Sequence, residues 1–198
     1  MGMISIEGID ASGKETQAKL LNEYLKDQGF KTLLLSFPRY GTTVGKVIRD
    51  WLDNKVQLTN ETFHMLMEAD RIEFCKEIEN SNYDFIILDR YTLSNVVYGI
   101  SKGISKKWLM SLQEPVIQPD LTFVLDIPVS VSKARKSGRD KHEKDDSLLT
   151  KARATYLCLM EQEPYKDISY KIDASKASPE EIHESIVDHV KAVYYADF

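Results

Sequence analysis

The sequence lacks an excess of positive charge: 26 Lys and Arg against 31 Asp and Glu leave a formal net charge of −5. That argues against a general nucleic-acid-binding surface and means that any anionic ligand must be met by locally clustered basic groups. Cysteine is scarce too. Cys75 and Cys158 both fall in helix-patterned stretches with no Cys-x-x-Cys or Cys/His spacing, which excludes a disulfide framework and a structural zinc site and predicts two reduced, semi-buried thiols in a cytoplasmic protein. No apolar run approaches the roughly 18 residues of a membrane span, and no secretory core is present. Ile6 stands where an N-myristoylation signal needs Ser or Thr, so no membrane partner is expected.

What is present is an ordinary soluble composition, 42% hydrophobic and 29% charged over 198 residues, which suits one domain with its own core. Apolar runs at Met3–Glu7, Thr32–Phe37, Phe85–Asp89, Leu121–Asp126 and Tyr170–Asp173 predict five buried strands. Helix-period segments at Lys14–Gln28, Thr43–Asn54, Asn60–Glu79, Lys106–Val116 and Leu148–Glu163 alternate with them, and a last helix opens at Ser178-Pro179-Glu180-Glu181 with an N-cap serine, a first-turn proline and a capping-box glutamate. This alternation predicts an α/β domain with a doubly wound, mainly parallel sheet flanked by helices. RKSGRDKHEKDD, Arg135 to Asp146, interrupts the apolar pattern and is expected to be a charged loop between two helices.

One local pattern carries chemistry. GIDASGKET, Gly8 to Thr16, fits G-x-x-x-x-G-K-[ST] except that Glu15 follows the lysine, where a hydroxyl normally ligates the magnesium of a bound nucleotide. The context is that of a phosphate cradle: strand, glycine-bearing turn, then helix, so that backbone N–H groups converge on phosphate oxygens at the helix's positive end. Ala11, Ser12, Gly13, Lys14, Glu15 and Thr16 would form it, with Lys14 reaching the outer phosphates of ATP. A Glu15 carboxylate could ligate Mg²⁺, but about 4 Å from a phosphate it would be repelled by roughly 4 kcal/mol. Glu15 is therefore expected to turn aside or act through the metal's water shell, with the Thr16 hydroxyl beside it.

Asp89 ends the run FIIL at the carboxyl end of a strand, where open α/β sheets place ligands, and is a Walker-B type candidate for the metal. Arg90 follows it. Arg39, Arg71 and Arg90 supply the guanidinium groups suited to bidentate phosphate contact.

Together these residues resemble the thymidylate kinase family, nearly from end to end. EGIDASGKETQ is similar to its loop, FPRYGTTVGKVI to the segment after its second strand, and ADR, Ala69 to Arg71, to its base-contacting helix. LDRYTLSNVVY is similar to the family's D-R-Y-x-x-S-N-x-x-Y stretch, and PDLTFVLDIP, Ala154-Thr155-Tyr156 and KIDAS follow in order. The resemblance implies a P-loop NTPase fold, phosphoryl transfer from ATP with Mg²⁺ to dTMP, and a homodimer, which apolar positions on the second and third helices permit. It further implies that Asp10 serves the sugar 3′-hydroxyl region and Arg90 the acceptor phosphate. Phe37, Arg39 and Tyr40 would wall the acceptor, and Arg71 and Asn95 would read the pyrimidine's polar edge. Tyr98 would lie under the sugar and disfavour a 2′-hydroxyl, while Tyr156 would close the pocket.

Three departures stand out. Besides Glu15, Met67 sits where the family often stacks an aromatic ring on thymine, and Ala11 where one subgroup carries a loop arginine. The other subgroup places that cation in its lid, so Arg135, Lys136, Arg139, Lys141 and Lys144 are expected to supply it, Arg139 foremost and Arg135 at the nucleotide. A kinase for a deoxynucleoside or a modified deoxyuridylate, or a module that only binds nucleotide, stays open at this level.

Overall fold

The computed structural model describes residues 1–136 and 146–194. The elements in order are β1 (Gly2–Glu7), α1 (Lys14–Asp27), β2 (Thr32–Ser36), α2 (Thr43–Leu52), α3 (Asn60–Ile78), β3 (Phe85–Asp89), α4 (Thr92–Ser101), α5 (Lys106–Ser111), β4 (Leu121–Asp126), α6 (Val129–Lys136), α7 (Asp146–Leu159), β5 (Ser169–Asp173) and α8 (Pro179–Tyr194). The strands form one sheet in the order β2-β3-β1-β4-β5, and every pairing is parallel.

Crossover helices cover both faces. On one, Ile4, Ile6, Ile87 and Phe123 pack with Leu21 and Leu25 of α1, Val96 of α4, Tyr156 of α7 and Ile186 of α8. On the other, Met3, Ile86 and Leu88 pack with Phe74 and Ile78 of α3. Side chains alternate along a strand, so Ile86 and Leu88 face one layer while Ile87 faces the other. The order reverses around β1, which places the switch-point crevice at the carboxyl ends of β1 and its neighbours β3 and β4.

The five strands stand within one residue of their expected limits. The helices differ more, for local reasons. α2 stops at Leu52 rather than Asn54, because Asn54 takes φ 58° and turns the chain out of the helix. α5 stops at Ser111, short of Pro115, whose ring disfavours helical geometry in the residue before it. α7 runs from Asp146 to Leu159. The capping box at α8 forms in both directions: Ser178 N donates to Glu181 Oε2 at 2.7 Å and Glu181 N to Ser178 Oγ at 3.2 Å. One helix, α4, was not expected, and α6, the helix before the charged loop, was expected without stated limits; both border the crevice. α6 extends through Lys136, so the charged loop begins later than Arg135. Cys75 is buried, but Cys158 is exposed, not semi-buried. Among the described residues no helix is long and apolar enough to cross a membrane.

Candidate active site

The turn after β1 has the backbone a phosphate cradle needs. Gly8 (φ 138°), Ala11 (φ 57°) and Gly13 (φ 100°) all have positive φ, a region that only glycine enters without cost. A Cβ on Gly8 would lie 2.6 Å from the Leu125 carbonyl oxygen, so no other residue fits. The first N–H groups of α1 therefore open into the crevice at Gly13 and Lys14. Lys14 is buried, donating to Ile9 O at 2.8 Å and standing 3.5 Å from Ser12 Oγ. Burial, and then the neighbouring Arg90, push its ammonium down to about 7 against the opposing pull of Asp10, Asp89 and Glu7.

Two unexpected contacts brace this loop. Ser132 of α6 donates to Asp10 O at 2.8 Å. Arg135 of the same helix reaches Ala11 O at 3.2 Å and Ala174 O at 2.8 Å, joining the cradle to the segment after β5. A cleft of about 670 Å³ lies between them, lined by Asp10 through Gln17, Asp89, Arg90, Arg135, Ala177, Pro179 and Ile182. Gln17, which ends the quoted loop motif without a role, donates its Nε2–H to Pro179 O at 2.8 Å. The α8 residues Pro179 and Ile182 were given no place at the site, because nothing local marks one end of a remote helix as the wall of a cleft.

At the metal position, Glu15 turns outward to Lys19 at 2.6 Å, its side chain 72% exposed, and Thr16 is exposed next to it. Asp89 Oδ2 accepts from the Ser36 hydroxyl at 3.2 Å, while its Oδ1 is buried with no hydrogen-bond partner. An unpaired carboxylate oxygen at a strand end beside a phosphate cradle fits a hydrated divalent cation.

Arg90 stands across the cleft. It is held at φ 66° by its own N–H to Ile6 O at 3.0 Å. Its guanidinium pairs with Asp10 and lies over the Tyr98 ring at 5.7 Å. Behind it the fully buried Glu7 gathers donors from two elements: Tyr91 N at 2.7 Å and Ser94 N at 3.3 Å on one oxygen, Ser94 Oγ and Tyr156 OH on the other. Tyr91, the N-cap of α4, makes no side-chain cap. A remote carboxylate thus caps this helix and meets its positive end. Glu7 stood in the quoted motif without a role.

The remaining acceptor-side residues cluster along α3 and α4. Arg39 is spent on α3, with Nε 3.0 Å from Asp70 Oδ1 and Nη1 2.7 Å from Glu77 Oε2. Arg71 is fully buried against the rings of Phe37 and Tyr91, donating to Met67 O at 2.7 Å and Tyr91 O at 2.6 Å. Asn95 is buried between His64 and Glu68. Met67 is half-buried, Tyr40 is 42% exposed with Arg49 over its ring, and Tyr156 is buried with its hydroxyl 2.8 Å from Ser94 Oγ. Of the expected lid cations, Arg135 and Lys136 end α6, while Arg139, the foremost, and Lys141 and Lys144 lie outside the described residues.

Residues 6–186 match the family model for thymidylate kinase. A probable thymidylate kinase of Pyrococcus abyssi is 37% identical over 199 residues, covering 95% of each chain. The thymidylate kinase of Plasmodium falciparum is 34% identical over 194 residues, 96% of this chain and 90% of that one. The solved thymidylate kinase of Candida albicans superposes with a TM-score of 0.81 at 26% identity, covering 96% and 91%. The match to the family model and to these relatives runs along nearly the whole chain, and the chain belongs to the thymidylate kinase family of nucleoside monophosphate kinases.

Proposed function

We propose that this protein transfers the γ-phosphoryl group of ATP to dTMP, giving dTDP and ADP. The observation that carries the reading is that Lys14, Arg90, Asp10 and Asp89 line one cleft. A phosphate cradle and a second phosphate-binding cation therefore face each other across the space in which a phosphoryl group would move. Phosphoryl transfer needs positioning and charge neutralisation more than covalent help. Lys14 and the N–H groups of the loop hold the donor's outer phosphates. Arg90, kept in place by Asp10 and Glu7, binds the acceptor phosphate, whose own oxygen is the nucleophile. Asp10 is also placed to meet the sugar, and Tyr98 to pack beneath it. Arg71 and Asn95 stand at the base end, Phe37, Tyr40, Met67 and Tyr156 along the walls, and Arg39 behind them. Arg135 lies at the nucleotide end of the cradle.

Asp89 and Thr16 would hold magnesium, which would supply charge neutralisation to the phosphate groups when bound. Glu15, paired with Lys19, leaves that space to them. Arg90 in the cleft lining disfavours a kinase that acts on an unphosphorylated nucleoside, which has no phosphate for that arginine, and a non-catalytic module has no use for a second site. A homodimer is part of the reading: Val47 and Leu52 of α2 and Met65 of α3 expose apolar side chains on neighbouring helices. So is a cytoplasmic location, in keeping with two unpaired cysteines. Steady-state rates with dTMP, dUMP, dCMP, dGMP and thymidine as acceptors test the function. dTMP is expected to lead, and thymidine as the best acceptor would overturn it.

A further inference from the structure

The seam between α3 and α4 holds an unusual density of buried polar atoms. His64, Glu68 and Arg71, at helical spacing on one face of α3, are each no more than 2% exposed, as is Asn95 opposite them on α4. His64 Nε2, Glu68 Oε2 and Arg71 Nε have no hydrogen-bond partner. Unpaired buried polar atoms are costly. Three on one helix face mark a place that a polar ligand edge completes.

The hydrogen bonds around Asn95 fix which way its amide points. Nδ2 lies 3.1 Å from the His64 main-chain oxygen and 2.7 Å from Glu68 Oε1. A main-chain carbonyl can only accept, so the amide nitrogen must be the atom that faces it. Oδ1 then lies 2.5 Å from His64 Nδ1, which must carry the hydrogen. Burial, acting most strongly, holds the His64 imidazole down to about 4 and so keeps it neutral, consistent with a single N–H spent on Asn95 and a bare Nε2. Both amide hydrogens of Asn95 are thereby consumed. What remains to it is one lone pair on Oδ1.

We propose that Glu68 and His64 are specificity-determining positioning residues: they lock Asn95 as an acceptor only, so that the site selects a pyrimidine whose ring nitrogen between the two carbonyl positions carries a hydrogen. Thymine and uracil carry that imide N–H. Cytosine has a bare ring nitrogen there, which would meet the Asn95 oxygen lone pair to lone pair. The unpaired Nε–H of Arg71 is the complementary donor for the carbonyl next to the imide. An apolar side chain at position 68 would release one Asn95 hydrogen, which could then turn to the bare nitrogen of cytosine. The inference rests on the reading, given above, that Asn95 and Arg71 face the base of the acceptor.

The test is the ratio of kcat/KM for dTMP to that for dCMP in the wild type, Glu68→Leu, Glu68→Gln and His64→Phe. Glu68→Leu is expected to lower the ratio about tenfold or more, by gaining dCMP turnover relative to dTMP. Glu68→Gln offers a carbonyl oxygen to the same hydrogen and is expected to keep it within about threefold. A merely structural role would lower both acceptors equally and leave the ratio unmoved, and that result overturns the proposal. Should Glu68→Leu fail to fold, His64→Phe decides: it removes the donor to Oδ1, must also lower the ratio, and an unchanged ratio refutes the locking. A wild type that prefers dCMP to dTMP would count against the proposed function itself. A wild type that prefers dTMP, with the ratio unchanged in Glu68→Leu, would overturn this inference and leave the proposed function standing.

Discussion

The carboxylate of Glu7, at the end of β1, accepts a hydrogen bond from the main-chain N–H of Tyr91 at 2.7 Å across 84 residues of sequence. Because Arg90 immediately precedes Tyr91, this bond fixes where the acceptor arginine stands relative to the cradle that begins one residue after Glu7. The same carboxylate takes the Tyr156 hydroxyl at 3.1 Å, so β1, α4 and α7 meet at one fully buried anion whose compensation is four donors and a helix N-terminus.

Glu7→Gln replaces one acceptor oxygen by an NH₂ that faces donors. It is expected to cost about 1–3 kcal/mol in denaturant unfolding, and to reduce kcat while leaving KM for ATP nearly unchanged. If Glu7 acts through Arg90, its effect on kcat must largely vanish in an Arg90→Ala background. Additive losses would separate the two residues.

Arg90→Ala is expected to lower kcat by about a hundredfold or more, as expected for a lost charge-neutralising contact to the moving group. Arg90→Lys should recover little of it, because an ammonium cannot hold Asp10 and a phosphate in the same planar fork. Near-normal turnover in either variant removes Arg90 from the transfer step.

Burial and the neighbouring Arg90 push the Lys14 ammonium down to about 7, so above that pH the free protein increasingly carries it neutral. A bound polyphosphate favours the ammonium, which raises its pKa, so binding must take up a proton, and nucleotide affinity from this group falls as pH rises above 7. Calorimetry at pH 8 in two buffers of different ionisation enthalpy should register that uptake. Lys14→Met should abolish it, and equal uptake in both proteins would assign the proton elsewhere.

Glu15→Ser should leave magnesium dependence and thermal stability unchanged, because Glu15 is spent on a solvent-exposed pair with Lys19. Asp89→Asn should raise the magnesium concentration for half-maximal rate about tenfold or more. The reverse pattern would make Glu15 the metal ligand.

Much of this protein was legible before folding was considered. Strands announced themselves because a parallel sheet buried on both faces demands continuous apolar runs, and the cradle did so because its glycines are conformational necessities. α4 was not readable as a helix: YTLSNVVYGI carries several β-branched residues and no local cap, and its N-terminal donors go to Glu7 instead. The limits of α6 were not legible because its sequence runs into a charged stretch, although Ser132 and Arg135 point back to the loop. The resemblance named Arg39 among the acceptor contacts, yet its guanidinium lies on Asp70 and Glu77, partners on a helix that sequence spacing alone could not bring to it.

The sequence by itself determined the alternation of strands and helices, the position of the cradle and the strand-end Asp89-Arg90 pair, because these depend on local periodicity and on backbone geometry that few residues tolerate. Tertiary structure alone decided which hydrogen-bonding capacity each polar group keeps. Glu15 is diverted to Lys19, Asp89 is left with a bare oxygen, and Asn95 is held by α3, because these pairings depend on which groups the packed fold brings within reach.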